Sequence, residues 1–243
     1  MNLMLMFALI AIAPTAIAQD AEQPGRTIQF SGLEWKVKRS DGVAGPGPNL
    51  FSDSADNVFL DSQGRLHLRI THDAMGWHCA EVILKKSPGY GEYCFEVDSS
   101  PELDPQVILG MFTWHDSDAS FHNREIDIEL SRWTQPENLN AQFVVQPYET
   151  KGNIDRFDMP KSLNELTYQF VWRHDRVDFD AWKRSKSAEK SHKSLHHWSC
   201  ASADVPPAGG ESLHINLWLF RGKSPTNGQS VEMILRHFSY RAN

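Results

Sequence analysis

From Leu66 to Tyr240 the chain alternates apolar and polar residues over short runs that end in Pro, Gly or Asn turns. "GRLHLRITHD" sets Leu66, Leu68 and Ile70 on one face, as a half-buried strand would. "CAEVILKK" and "GEYCFEVDS" flank a Pro-Gly turn, Ser87 to Gly91, and predict a hairpin. "VILGMFTW", Val107 to Trp114, is apolar on both parities and predicts a strand covered on both sides. "REIDIELSRW", "NAQFVVQPY", "LTYQFVWR", "RVDFDAW", "SLHINLWLF" and "VEMILRHFSY" continue the series. "KRSKSAEKSHKSLHH", Lys183 to His197, is basic and polar and reads as a solvated loop, its histidines without metal-site spacing. Beyond the first residues no stretch sustains an apolar stripe at helical spacing. The pattern predicts an all-β fold, a two-sheet antiparallel β-sandwich.

The start of the chain breaks the pattern. "MNLMLMFALIAIAPTAIAQD" is apolar to Ala13 and closes on Ala16-Ile17-Ala18 before polar Gln19 and Asp20. This predicts a signal peptide over residues 1–18, export to the periplasm or medium, and one domain over 19–243. The apolar stretch is shorter than the ~20 residues a membrane span needs, so no span is expected after its removal. Cys79, Cys94 and Cys200 are odd in number, which leaves at least one thiol unpaired or paired between chains. The predicted hairpin puts Cys79 and Cys94 about five pairs out of register, too far to bond, while Cys200 is open to either.

Composition narrows the partners. With 243 residues, 40% of them hydrophobic, the chain can bury a sizeable core, and no linker divides it. A net charge of −7 argues against nucleic acid and suits a neutral or cationic substrate. No metal-ligand spacing or C-x-x-C occurs, so no cofactor is expected, and a monomer is.

Within "REIDIELSRW", Glu125, Asp127 and Glu129 share one strand face and Ile126, Ile128 and Leu130 the other. Arg124 and Arg132 have the isoleucine parity. The carboxylate face therefore reads Asn123, Glu125, Asp127, Glu129, Ser131, Trp133, with no local cation. A solvated outer face is the plain reading. Against it, like charges ~7 Å apart raise one another's pKa at a cost in stability, and a strand selected for stability intersperses lysine.

Other strands offer a matching face. His214, Asn216, Trp218 and Phe220 oppose the leucines of "SLHINLWLF"; Gln142, Gln146 and Tyr148 oppose Phe143 and Val145; Trp114 closes its strand. Side by side, these faces make a groove with acids at the centre and amides and indoles on its walls, which suits sugar rings. Glycoside hydrolysis needs two carboxyl groups, one protonated and one ionised. The Cα atoms of Glu125 and Glu129 lie about 13 Å apart along a strand. Two inward-leaning side chains on a curved sheet can close that to the about 5–6 Å that goes with retention of configuration.

Here the sequence resembles glycoside hydrolase family 16, the lichenase and laminarinase family. "EIDIE" is similar to its E-x-D-x-E signature, and "CAEVILKKSPGYGEYCFEV", "GMFTW", "LTYQFVWRHDRVDFDAW" and "INLW" resemble its flanking strands. The resemblance implies a concanavalin A-like jelly roll and a retaining endo-β-glycosidase acting on β-1,3-1,4- or β-1,3-glucan. It makes Glu125 the nucleophile, Asp127 its assistant and Glu129 the general acid/base, and it carries substrate contacts onto Glu81, Trp114, Asn216 and Trp218. Gln146 and Tyr148 join these on the parity argument alone. The chain departs from lichenases at Ile83, where they have Arg, at Asn123, where they have Trp, and at Val144 and Gln146, where they have Asn and Tyr. The glucan therefore stays open. A transglycosylase with the same residues and a non-catalytic carbohydrate-binding protein are the alternatives.

Overall fold

The computed structural model describes residues 25–85, 88–184 and 193–243. Residues 1–18, read as a signal peptide, lie outside them, as do Ser87 of the expected turn and residues 185–192. In chain order the strands are β1 (Thr27–Phe30), β2 (Leu33–Val37), β3 (Leu50–Phe51), β4 (Val58–Leu60), β5 (Leu66–Asp73) and β6 (Gly76–Leu84). Next come β7 (Gly91–Val97), β8 (Val107–Trp114), β9 (Ile126–Leu130), β10 (Ala141–Val145) and β11 (Ile154–Phe157). The last five are β12 (Leu166–Trp172), β13 (Val177–Lys183), β14 (Ser194–Cys200), β15 (Ser212–Leu219) and β16 (Val231–Ala242).

The strands form an antiparallel sandwich. One sheet runs β11-β10-β9-β8-β15-β6-β2-β1, the other β4-β5-β16-β7-β12-β13-β14. Strand β5 stitches them together: Leu66 to Ile70 pair with β16, and Thr71 to Asp73 pair with β6. The core is the inward face of both sheets, as the alternation requires. Ala80, Val82, Leu109, Met111, Ile126, Ile128, Leu213 and Ile215 from the first sheet meet Phe95, Leu166, Phe170, Phe179 and Phe238 from the second. Stacking of Phe143 in β10 on Phe179 in β13, ring centres 4.8 Å apart, ties the two layers.

Three expectations are corrected. The predicted hairpin does not exist: β6 pairs with β15, β2 and β5, whereas β7 pairs with β12 and β16. Period-two alternation fixes which residues point inward but not which sheet a strand joins. Here Val82 and Phe95 reach one core from opposite sheets because the chain changes sheets between β6 and β7. The second correction concerns Lys183 to His197, expected as a loop. Its end belongs to β14, which pairs with β13 and stacks His196 on Phe157 at 3.8 Å and Trp198 on Phe179 at 5.2 Å. Edge strands tolerate this polar composition because one face and one edge stay wet. Third, β8 is covered on both faces only at its start, where Val107 and Ile108 are both fully buried. Val107, Leu109 and Met111 face the core, while Gly110, Phe112 and Trp114 face a cleft.

Cys79, Cys94 and Cys200 are all unbonded, with Cys79 and Cys200 buried. Among the described residues no helix is long and apolar enough to cross a membrane.

Candidate active site

The site begins where the chain enters β9. Before it, a 3-10 turn (Ala119–Arg124) ends in His122, Asn123 and Arg124 at φ of 49°, 58° and 54°, a left-handed run that side chains with a Cβ disfavour. Local bonds hold it. Asn123 Nδ2 donates to the His115 carbonyl at 2.8 Å, the His115 amide donates to the Asn123 carbonyl at 2.7 Å, and Arg124 Nε donates to Asp118 at 2.6 Å. Thr113 closes the turn, its hydroxyl donating to the Arg124 carbonyl at 2.7 Å and accepting from the Ile126 amide at 3.1 Å. Glu125 is thus clamped at the mouth of the strand. The carboxylate face is shorter than the sequence suggested: Asn123 lies in the turn, and the ladder ends at Leu130, before Ser131 and Trp133.

Cross-strand register then assembles the floor. One row reads Arg156 on β11, Gln142 on β10, Glu129 on β9, Gly110 on β8, Asn216 on β15 and Glu81 on β6. The next reads Val144, Asp127, Phe112, His214, Ile83 and Lys36, the last on β2. Residues directly opposite on one face stand about 5 Å apart, so each row is a continuous strip of side chains across the sheet. Above them lies a cavity of about 520 Å³ lined by all three carboxylates, Glu81, Trp114, Asn216 and Trp218.

Glycine at 110 is required here. A Cβ would lie 2.6 Å from Asn216 Oδ1, so any side chain would push the amide out of the cleft. Asn216 is buried, and neither its Oδ1 nor its Nδ2 meets a hydrogen-bond partner. A buried amide with both ends unsatisfied costs about 1–3 kcal/mol per lost bond, which bound hydroxyls or water would recover.

The electrostatics single out the acids. Burial, and then the Glu129 charge, push Glu125 up to about 8, against the opposing effect of a hydrogen bond with Asp127. Burial followed by the charges of Glu125 and Glu129 holds Asp127 well above the ordinary carboxylate range. Glu129 is raised by burial too, but Gln142 and the Arg156 charge pull it back. Arg156 Nε donates to Gln142 Oε1 at 2.8 Å, which turns the amide so that Nε2 donates to Glu129 Oε2 at 2.5 Å. The guanidinium also sits over the Trp133 ring at 4.7 Å. A proton thus resides more readily on Glu125 or Asp127 than on Glu129, an ordering that spacing along the strand could not give.

Two expected contacts lie outside the cleft. Gln146 follows the last residue of β10 and donates to Asp127 Oδ2 at 3.1 Å, so it holds the aspartate rather than facing the cavity. Tyr148, 54% exposed, lies past Pro147, where the ladder has ended and strand parity no longer applies. Glu81 lines the cleft already engaged, 2.8 Å from Lys38 Nζ and 2.8 Å from His214 Nδ1. Gln142 and His214 lie on the groove faces expected of them, though not among the expected substrate contacts; Arg156, Lys36 and Gly110 were not expected on this floor. Their parity relative to apolar neighbours is readable in "AQFVV" and "LEWKV"; their adjacency to the acids is a matter of register. Among the described residues no cluster of His, Cys, Asp and Glu is arranged to hold a metal ion.

No protein-family model and no curated protein matches the sequence. Solved structures do match in fold. A Bacillus licheniformis β-glucanase superposes with a TM-score of 0.63 at 17% identity, over 91% of this chain and 100% of its own. A β-1,3-1,4-glucanase (lichenase) from a mouse hindgut metagenome gives 0.60 at 18% identity, over 86% of this chain and 93% of its own. An immunostimulatory antigen and pseudo β-1,3-glucanase of Mycobacterium tuberculosis gives 0.62 at 18% identity, over 86% and 91%. At these identities the likeness concerns backbone architecture, and the chain has the β-sandwich fold that these glucanases share.

Proposed function

We propose that the protein is a glycoside hydrolase of the family 16 type, exported from the cell, which cleaves the backbone of a β-glucan-type polysaccharide with retention of configuration. The observation that carries this reading is the gathering of three carboxyl groups, one buried and two half-buried, on one strand face, in a cleft whose walls are Trp114, Trp218 and an unsatisfied Asn216. Burial keeps at least one of the acids protonated near neutral pH, which a general acid requires. The half-buried indoles offer flat apolar faces to sugar rings, and Asn216 offers a donor and an acceptor to hydroxyls.

In the scheme implied by the resemblance, Glu125 attacks the anomeric carbon while Glu129 protonates the departing oxygen. Water deprotonated by Glu129 then releases the glycosyl-enzyme. Asp127, held by Gln146, shares a hydrogen bond with Glu125 and is placed to take up its proton before attack. The Gln142–Arg156 pair favours a second reading with the roles exchanged, because it stabilises the charge on Glu129. Azide separates the two. With β-glucan and azide, the first scheme gives a β-azide from Glu129→Ala and an α-azide from Glu125→Ala, and the second gives the reverse. An α-configured first product from wild-type protein on a β-linked substrate would refute a retaining mechanism of either kind. The M. tuberculosis structure is called a pseudo-glucanase, so the same cleft binding sugar without cleaving it is the outcome to exclude. Product sizing on a panel of β-glucans and galactans does so.

A further inference from the structure

The cleft is not acidic throughout. Its far wall, on β2 and just beyond it, carries Lys36, Lys38 and Arg39, three cations within four residues of a chain whose net charge is −7. They are not equivalent. Lys38 is committed, its ammonium 2.8 Å from Glu81 Oε2, 2.7 Å from the Gly45 carbonyl and over the Phe51 ring. Lys36 has no ion-pair partner among the described residues. Glu34, on the same face of β2, is taken by Lys85. Arg39 is 68% exposed on its side chain and only loosely paired, 3.6 Å from an Asp41 that is itself 94% exposed.

Register puts Lys36 directly beside Ile83, and Ile83 beside His214, so a low apolar step separates the ammonium from the imidazole. The nearest cleft acid, Glu81, is already paired with Lys38 and hydrogen-bonded to His214. Four strand spacings, about 19 Å, separate β2 from the acids on β9. That exceeds the ~8 Å screening length of physiological salt, so the central acids do not cancel the basic wall. One unpaired and one loosely paired cation, at a rim whose nearest acid is already engaged, have a direct use in binding an anion.

We infer that Lys36 and Arg39 hold an anionic substituent, a uronate carboxylate or a sulfate ester, on a sugar ring seated over Ile83 several residues from the bond that is cut. This rests on the glycoside-hydrolase reading of the cleft and names the substrate class within it. It also replaces the neutral or cationic partner suggested by net charge, because a whole-chain sum averages over the acidic centre and the basic wall.

The test is calorimetric titration of the intact protein with three oligosaccharides of one backbone and length: neutral, uronate-bearing and sulfated. At low salt at least one charged ligand should bind about fivefold to tenfold tighter than the neutral one, and the preference should fade as salt is raised. Lys36→Met and Arg39→Met should each lose most of that preference and leave neutral-ligand affinity unchanged, with thermal midpoints confirming that both fold. The charged ligand that responds to Lys36→Met identifies the substituent. Equal affinity for neutral and charged ligands, insensitive to Lys36→Met, would overturn the inference and leave the glucanase reading standing. Binding of none of the three would overturn both.

Discussion

The two faces of the sandwich that do not meet in the core treat their carboxylates in opposite ways. On the outer face of the second sheet, Asp98 lies 2.6 Å from Arg184, 3.4 Å from Arg236 and 3.6 Å from Arg65. Asp178 there is paired by Arg173 and Arg176 and sits below the ordinary carboxylate range: Ser199 and both arginines outweigh its burial. In the cleft, Glu125 and Asp127 share a hydrogen bond, Asp127 and Glu129 each accept from a glutamine, and the Arg156 guanidinium acts on Glu129 across Gln142. The same chain that pairs its outer acids leaves the inner ones uncompensated. The outer arrangement lowers carboxylate pKa values and adds stability; the inner one raises them and spends stability on a reactive protonation state.

The largest effect should come from Glu129→Gln, which keeps size and hydrogen bonding but removes the titrating group. Turnover of a responsive glucan should fall by about 10³-fold or more, with the thermal midpoint held or raised. Next, Asp98→Asn should lower stability by about 1 kcal/mol, a modest loss because Arg65, Arg184 and Arg236 each keep another carboxylate partner, and leave turnover per folded molecule unchanged. If instead Asp98→Asn were silent and Glu129→Gln unfolded the protein, the contrast between the faces would be void.

Much of this contrast was legible in the sequence, and the illegible part has one cause. Alternation gave the strand faces, the acid row and the inward leucines, because side-chain direction is a local property with period two. Register and sheet membership are not local. Nothing in "IDRF" says that Arg156 lies opposite Gln142 and so reaches Glu129, and nothing in "LEWKV" says that Lys36 joins the acid-bearing sheet. The mistaken hairpin between β6 and β7 fails for the same reason. Tyr148 departs for a different reason: the parity count was extended past Pro147 and the end of β10 at Val145, whereas Gln146 kept the parity of the acid face and bonds Asp127.

A smaller effect tests the raised carboxyl groups directly. Glu125 titrates at about 8 in the folded chain, far above its unfolded value, so its neutral form favours folding. That contribution is complete below about pH 4.3 and is lost as pH rises towards 8. Thermal midpoints should therefore decline from weakly acidic to alkaline pH, and Glu125→Gln should flatten the decline. An unchanged slope would mean that Glu125 is not buried as described. The smallest shift should follow Arg156→Met, which frees the Gln142 amide to turn its carbonyl toward a protonated Glu129. The limb of the pH–rate profile that belongs to Glu129 should move up by less than about one unit, with turnover at the optimum nearly preserved. Arg156→Lys should restore part of the shift, because charge returns without the fork.

The seam between the sheets is closed unequally, and this has a dynamic consequence. On the side of β5 and β6 the sheets are joined by backbone ladder bonds. On the other side, among the described residues, β11 pairs with β10 alone, and it meets β14 through side chains: His196 at 2.5 Å from Asp155 and stacked on Phe157. Edge strands held by one ladder and a few contacts open at lower free energy than strands paired on both edges. Amide hydrogens of β11 should therefore exchange with solvent deuterium well before those of β8 or β15. Because Arg156 rides on β11, each opening of that edge also withdraws the guanidinium from the floor of the cleft. The proton affinity of Glu129 is thus coupled to the breathing of the sandwich's weaker seam.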